Sequence, residues 1–282
     1  MNVIITGSSS GFGQLTTQTL AKAGHTVFAT LRDAKGRNAP AAATLGAMPN
    51  VQVVELDVTQ DASVDQAIAT IAQKTGGAID VLVNNAGRFS MGIQEAFSVD
   101  EVKALFDTNV FGPLRLNRAV LPHMRKRGSG LIVNLSSIMG RFTLPTTGTY
   151  CATKYAVEAL AEALRAEVKA LGIDVVCIEP GAFPTKVGDN GLYANDPSRS
   201  DGYGAMARLP QEMGKGLGEL FASPQAPKPQ SVADAILRVV QTRAGQRPAR
   251  VVVDELTGAP IEALNAEYLK HHQAMRTAFG LT

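Results

Sequence analysis

The sequence predicts an α/β protein, with one parallel sheet of seven strands covered by helices on both faces. Three observations lead there. Short runs of Val, Ile and Leu alternate with amphipathic stretches along the 282 residues, and near-continuous apolar strands separated by helices indicate a parallel sheet buried on both sides. The first apolar run passes directly into a glycine-rich turn and then a helical stretch. The length supplies ample chain for one large core, and no internal repeat divides it.

Each element has a local reason. Residues 3–6 open the sheet as an apolar β-branched run, and residues 14–23 carry the spacing of a first helix. Strand two is expected at 26–30. Residues 34–50, rich in Ala, Gly, Pro and Asn, read as a surface excursion before strand three at 51–56. A helix at 63–75 leads to strand four at 81–84. One long helix is expected over 99–127, and Arg125-Lys126-Arg127 before Gly128 places cations at its C-terminus. Strand five at 131–135, a helix at 149–171, strand six at 175–178, a helix at 231–242 and strand seven at 251–253 complete the alternation. This is the doubly wound, or Rossmann, arrangement, expected as a single domain over residues 1–282.

Two stretches stand outside the rhythm. Residues 181–230 are rich in glycine and proline and carry Tyr193, Tyr203, Met206 and Phe221, with Phe183 near the start. A long irregular stretch inside a compact domain is usually a functional loop. This one follows a strand that should end at the site, so it reads as a mobile substrate flap. Residues 255–282 form a C-terminal extension.

Composition narrows the function classes. Hydrophobic content of 45%, charge of 18% and a net charge of +2 fit an ordinary soluble globular protein. The net charge argues for no particular partner; a small-molecule substrate is expected, with neither nucleic acid nor a membrane as partner. No apolar stretch approaches membrane-spanning length, and the start of the chain lacks a basic segment followed by an apolar run. The expected location is cytoplasmic. Cys151 and Cys177 read as reduced, buried thiols, and the four histidines show no metal-ligand spacing, so no metal is expected.

The chemistry-bearing residues form a short set. Tyr150 and Lys154 stand four apart, and Ser137 lies thirteen residues before Tyr150. Residues four apart on a helix share a face. A phenol beside a fixed cation gives up its proton more easily, as a general acid/base for a carbonyl/alcohol pair requires. The turn Thr6-Gly7-Ser8-Ser9-Ser10-Gly11-Phe12-Gly13 lies between the first strand and first helix. Glycines there let a phosphate approach the backbone, and the helix N-terminus offers free N–H groups. At the end of strand two, Leu31 occupies the place expected for the acid that holds an NAD ribose, and Arg32 follows it. An arginine there suits a 2′-phosphate, so NADP(H) is preferred, with NAD(H) the alternative if Asp33 serves as the acid.

In order and spacing, these residues resemble the short-chain dehydrogenase/reductase superfamily, in its single-domain branch. The resemblance covers about residues 2–185. It rests on the glycine turn, Asp57-Val58, Asn84-Asn85-Ala86-Gly87, Asn109, Ser137, Tyr150 with Lys154, and Pro180-Gly181 with Thr185. The segment Ala29-Thr30-Leu31-Arg32-Asp33 is similar to that of NADP-preferring hydroxysteroid and retinol-type members.

The resemblance implies a role for each residue. Gly7, Ser9, Ser10, Gly11, Phe12 and Gly13 would form the pyrophosphate turn. Asp57 would bind the adenine amino group, with the Val58 backbone alongside. Asn85, Ala86 and Gly87 would line the adenine-ribose side and buttress the sheet. Tyr150 would exchange the proton with the substrate oxygen. Lys154 would bind the nicotinamide ribose and lower the tyrosine's pKa, Ser137 would hydrogen-bond the substrate oxygen, and Asn109 would hold a water in a relay to Lys154. Pro180, Gly181, Phe183 and Thr185 would contact the nicotinamide end.

The implied function is hydride transfer between NADP(H) and a carbonyl/secondary alcohol. Phe89, Met91, Phe142, Leu144 and Phe183 form a mostly apolar candidate wall, which suggests a lipophilic substrate. The alternatives are a non-catalytic dinucleotide sensor or scaffold, and an epimerase or dehydratase using transient oxidation. A homodimer or homotetramer is implied, paired through the helices near 99–127 and 149–171.

Overall fold

The computed structural model describes residues 1–194 and 196–281. Asn195, inside the expected flap, and Thr282, at the end of the expected extension, lie outside the described residues.

Among the described residues, the main sheet has seven parallel strands in the order β3-β2-β1-β4-β6-β7-β9. They are β1 (Asn2–Ile5), β2 (Thr26–Leu31), β3 (Val51–Glu55), β4 (Val81–Asn84), β6 (Gly130–Leu135), β7 (Ile173–Pro180) and β9 (Arg250–Val253). Every pairing in it is parallel. Successive side chains on a strand point to opposite faces. Val3 and Ile5 therefore enter one core with Leu20, Val232 and Ile236, whereas Ile4 enters the other with Leu116, Val120 and Ala161. The first core is covered by α1 (Gly11–Lys22) and α9 (Gln230–Gln241), the second by α3 (Asp61–Thr75), α5 (Gly112–Arg127) and α6 (Gly148–Val168).

All seven expected strands are present, with bounds moved by a residue or two. Three expectations change. Residues 34–50 are not wholly irregular: α2 (Ala39–Gly46) forms there, with Pro40 in its first turn, where a missing N–H costs nothing. The single helix expected over 99–127 is interrupted. It runs as α4 (Val99–Phe106), a π-helical turn at Asp107–Phe111, then α5. Such a turn inserts one residue and rotates the helix beyond it.

The third change concerns residues 181–230. β8 (Leu192–Tyr193) pairs parallel with β5 (Ser90–Met91), and α7 (Pro197–Ser200) and α8 (Ala205–Ala222) come after it. About half of the segment is helical, so it is not an irregular loop throughout. Pro210, Gly214, Gly216 and Gly218 all lie within α8, and those residues disguise it in the sequence. The extension is likewise helical, as α10 (Ala259–Ala278).

Candidate active site

The strand order reverses between β1 and β4, and open α/β sheets bind ligands at such a switch point, outside the carboxyl ends of the strands. The glycine turn leaves β1 there. Gly7 and Gly11 have φ of +67° and +55°, a region that L side chains rarely enter. Gly13 has no room for a side chain, since a Cβ would overlap the Gly7 carbonyl oxygen and the Asn85 carboxamide. The turn is fastened to β4. Asn85 Nδ2 donates to the carbonyls of Thr6 at 2.7 Å and Gly7 at 3.2 Å, and Thr6 Oγ1 accepts from the Asn85 and Ala86 amides, each at 3.0 Å. Asn84 serves the sheet through Asn134 and Asn117.

A cleft of 540 Å³ opens on this turn, lined by Ser9, Ser10, Gly11, Gln14, Thr44 and Thr185 among others. Ser10 begins α1 without spending its side chain on the cap. Thr185 lies across the turn, 3.4 Å from where a Gly11 Cβ would stand. Asp57 Oδ1 accepts from the amide and hydroxyl of Thr59 at 2.9 and 2.8 Å, and the Val58 carbonyl accepts from Arg115 at 3.2 Å.

At the end of β2, Leu31 turns into the core at 2% exposure, while Arg32 is exposed. Asp33 takes φ +49° and its carboxylate accepts from the Arg37 amide at 2.8 Å. Asp33 is thus engaged in its own turn, and Arg32 remains as the outward-facing group. Phe183 departs from expectation. It is buried, with its ring edge-on to Phe12 at 5.4 Å, so it belongs to the core under the turn rather than to an open pocket wall.

The candidate reaction centre assembles at the ends of β6 and β7. Ser137 follows β6 and begins a short 3-10 turn. Its Oγ accepts from the Met139 amide at 3.1 Å and donates to the Pro180 carbonyl at 3.4 Å. Tyr150 rises from the first turn of α6, with the Phe89 ring edge-on at 5.0 Å. Burial pushes its phenol up to about 12, against a hydrogen bond with Ser137 that pulls it down. Lys154 is buried one turn along. Its Nζ donates to the Leu135 carbonyl at 2.7 Å and stands 5.6 Å from the Tyr150 ring centroid. Burial lowers its pKa to about 8, opposed by Cys177 and Glu158. The expected lowering of the tyrosine's pKa is not found, because desolvation of the phenol dominates. The Lys154 ammonium gives its short hydrogen bond to the Leu135 carbonyl.

Asn109 owes its place to the π turn, which turns it inward at 2% exposure. Its Oδ1 accepts from the Arg88 amide at 2.8 Å, and its Nδ2 donates to the Arg88 carbonyl at 2.8 Å and to Thr153 Oγ1 at 3.0 Å. Asn109 thus clamps the backbone just after Gly87, whose Cβ would stand 3.5 Å from Asn109 Oδ1 and 3.9 Å from Lys154 Nζ. Thr153 was missed by sequence reasoning. A threonine in a helix interior next to Lys154, where its class is disfavoured, was the available signal.

A second cleft, of 630 Å³, lies between the start of α6 and α8, lined by Ile93, Glu95, Pro145, Thr146, Tyr203 and Met206. Tyr203 donates to Glu95 at 2.8 Å, and Arg199 reaches the same carboxylate at 3.5 Å.

The short chain dehydrogenase family matches residues 1–192. A 3-ketodihydrosphingosine reductase of Bacteroides thetaiotaomicron is 41% identical over 188 residues, covering 67% of this chain and 66% of its own length. The mouse 17-beta-hydroxysteroid dehydrogenase type 1 is 41% identical over 189 residues, covering 65% of this chain and 54% of that protein. The chain therefore spans just under two thirds of the first relative and about half of the second. A solved serine dehydrogenase complexed with NADP+ superposes with a TM-score of 0.74 at 28% identity, covering 90% of this chain and 94% of that one.

Proposed function

The chain belongs to the short-chain dehydrogenase family, and from that premise we propose that it transfers hydride between NADP(H) and the carbonyl or secondary alcohol of a lipophilic small molecule. The observation that carries this reading is the meeting of Ser137, Tyr150 and Lys154 at the strand ends. The turn suits a dinucleotide: Gly7 and Gly13 leave backbone where a side chain would stand, and the α1 N-terminus favours phosphate. Gly7, Ser9, Ser10, Gly11, Gly13 and Thr185 would hold the pyrophosphate. Asp57 would hold the adenine, Lys154 the nicotinamide ribose, and Pro180 and Gly181 the nicotinamide. Bound there, the nicotinamide supplies or accepts the hydride.

The protein's own groups manage the proton. With its pKa at about 12, Tyr150 is protonated at neutral pH and donates to the substrate oxygen during reduction. Ser137 hydrogen-bonds the same oxygen as negative charge develops. Asn109 fixes the Gly87–Arg88 backbone beside Lys154, and the remaining lone pair of its Oδ1 can hold the water of a relay. Arg32, exposed where Asp33 is occupied, favours the phosphorylated cofactor over NAD(H), and the NADP+-bound neighbour supports a nicotinamide dinucleotide at this turn.

The relatives' names, a sphingoid-base reductase and a steroid dehydrogenase, support a lipophilic substrate. So do Phe89 against Tyr150 and Met206 in the distal cleft. Phe111 and Leu114 on the π turn and α5, with Leu160 on α6, are exposed apolar side chains and support pairing into a homodimer or homotetramer. Among the described residues no helix is long and apolar enough to cross a membrane, and a cytoplasmic location goes with this reading. Following NADPH absorbance across a panel of long-chain and polycyclic ketones tests the reading. Consumption with at least one class is expected, and tight NADPH binding with no consumption would favour a sensor.

A further inference from the structure

One turn beyond Lys154 on α6 lies Glu158, at 3% exposure and outside the proposed reaction path. Its Oε2 accepts from Arg250 Nε at 2.8 Å. The same guanidinium reaches Glu162 Oε2 at 2.5 Å and Glu179 Oε1 at 3.5 Å. Glu179 is wholly buried, immediately before Pro180, and its other oxygen accepts from Asn265 Nδ2 at 2.6 Å. From α10, Tyr268 donates to Glu162 at 2.9 Å and His272 stands 2.7 Å from it. Arg141, after β6, stacks over Tyr268 at 4.5 Å. Cys177 faces Glu158 from β7. Glu158 Oε1, Glu179 Oε1 and Arg141 Nε have no hydrogen-bond partner among the described residues.

A pair present only for stability would satisfy its members, because buried charge is expensive unless fully partnered. Here three carboxylates face the Arg250 guanidinium, and two of them keep an oxygen without a hydrogen bond among the described residues. Burial and the neighbouring Glu158 push Glu179 up to about 7, against Asn265, Arg250 and Arg141, so Glu158 is the carboxylate left to act on Lys154. Glu158 lies one helical turn from Lys154, whose ammonium is disfavoured by burial and supported by Cys177 and Glu158. Glu158 also touches the Ser137 turn: a Cβ on Gly140 would stand 3.0 Å from Glu158 Cγ and 3.3 Å from the Lys154 carbonyl.

We propose that Glu158, held by Arg250 and backed by Glu179, is a positioning residue for the reaction centre that keeps Lys154 charged and seats the turn carrying Ser137. Its bearing on catalysis rests on the role given to Lys154 above.

Two variants separate charge from shape. Glu158→Gln keeps the shape and removes the charge; Glu158→Asp keeps the charge and shortens the side chain. Lys154 is titrated by NMR in protein labelled at lysine 13Cε, with Lys154→Met assigning the signal. The Gln variant should titrate at least about half a pH unit below the parent, with Asp nearer the parent. Glu179→Gln, which leaves α6 intact, should lower the midpoint less. NADPH affinity at pH 8 should follow the same order, severalfold weaker in Gln than in Asp. A role in shape alone reverses the order, with Gln like the parent and Asp the damaging change. That outcome, or an unmoved midpoint in Gln, overturns the proposal. If the midpoint moves as expected while NADPH affinity does not, Glu158 still governs Lys154, and the failure lies in the cofactor role of that lysine.

Discussion

The cofactor half of the molecule and its C-terminal third are built on different principles. In the first, the site hangs from the ends of buried strands. β1 and β4 lie in the core, and the glycine turn is bonded to Asn85 and packed so closely that Gly13 admits no Cβ. In the second, α8 has no fully buried residue. It touches the rest through side-chain contacts such as Thr146 Oγ1 with Met213 Sδ at 3.8 Å, while Tyr203 just before it bonds Glu95. The contrast teaches a division of labour. The groups proposed to handle hydride and proton need fixed geometry and take it from the sheet. The segment proposed to meet the substrate is little buried, as elements at the low-stability end of a structure are.

The largest test of that contrast is at the fixed centre. Tyr150→Phe removes one hydroxyl and should lower kcat by about 10²–10⁴-fold, the range for a general acid. NADPH Kd, measured by fluorescence, should change little. Next comes Arg32→Ala, which should raise the Kd for NADPH by about 10–100-fold, as expected for loss of a charge-assisted phosphate contact. The Kd for NADH should move by less than about 2-fold; equal losses for both would remove the basis for cofactor preference.

Lys154 gives a pH-dependent test. Its folded pKa of about 8 lies below the ordinary lysine value of 10.5. Below pH 8 both states are charged, and the folded state bears the burial cost. Between pH 8 and 10.5 the unfolded state holds a proton that the folded state has lost, so this group makes stability rise with pH. Lys154→Met should therefore raise unfolding free energy at pH 7, by on the order of 3 kcal/mol, while weakening NADPH binding. The gain should shrink as pH climbs past 8. In the parent, NADPH affinity should fall above pH about 8.

The smallest effect is expected in the C-terminal third. Met206→Ala with Met213→Ala should raise substrate KM by roughly 3–10-fold, as lost apolar contact would. Tm should move by no more than about 1 °C, because neither residue is buried in the core. A large loss of Tm would mean that α8 is structural and would erase the contrast.

The same division governs what could be read from the sequence. Buried parallel strands announce themselves as apolar runs, so all seven were visible, as were the glycine turn and the Tyr150/Lys154 spacing. The π turn at Asp107–Phe111 was not, because a single inserted residue barely disturbs helical periodicity, although Asn109 depends on it. The direction of the tyrosine's pKa was not legible either, because spacing shows that a cation is near but not how deeply the phenol is buried. α8 was hidden because Pro210 and three glycines interrupt an apolar stripe of Met206, Leu209, Met213, Leu217 and Leu220 at helical spacing, and α10 because a helix facing mostly solvent leaves no sharp apolar stripe.

The central claim is that this site passes hydride to a carbonyl carbon while Tyr150 supplies the proton. The most direct measurement supplies NADPH deuterated at nicotinamide C4, in each stereochemical form, with a turned-over ketone, and locates the label by mass spectrometry and NMR. The account predicts deuterium from one form only, at the new carbinol carbon, in the parent and not in Tyr150→Phe. Label retained on the cofactor in the parent, or equal transfer by the Tyr150→Phe variant, would contradict it.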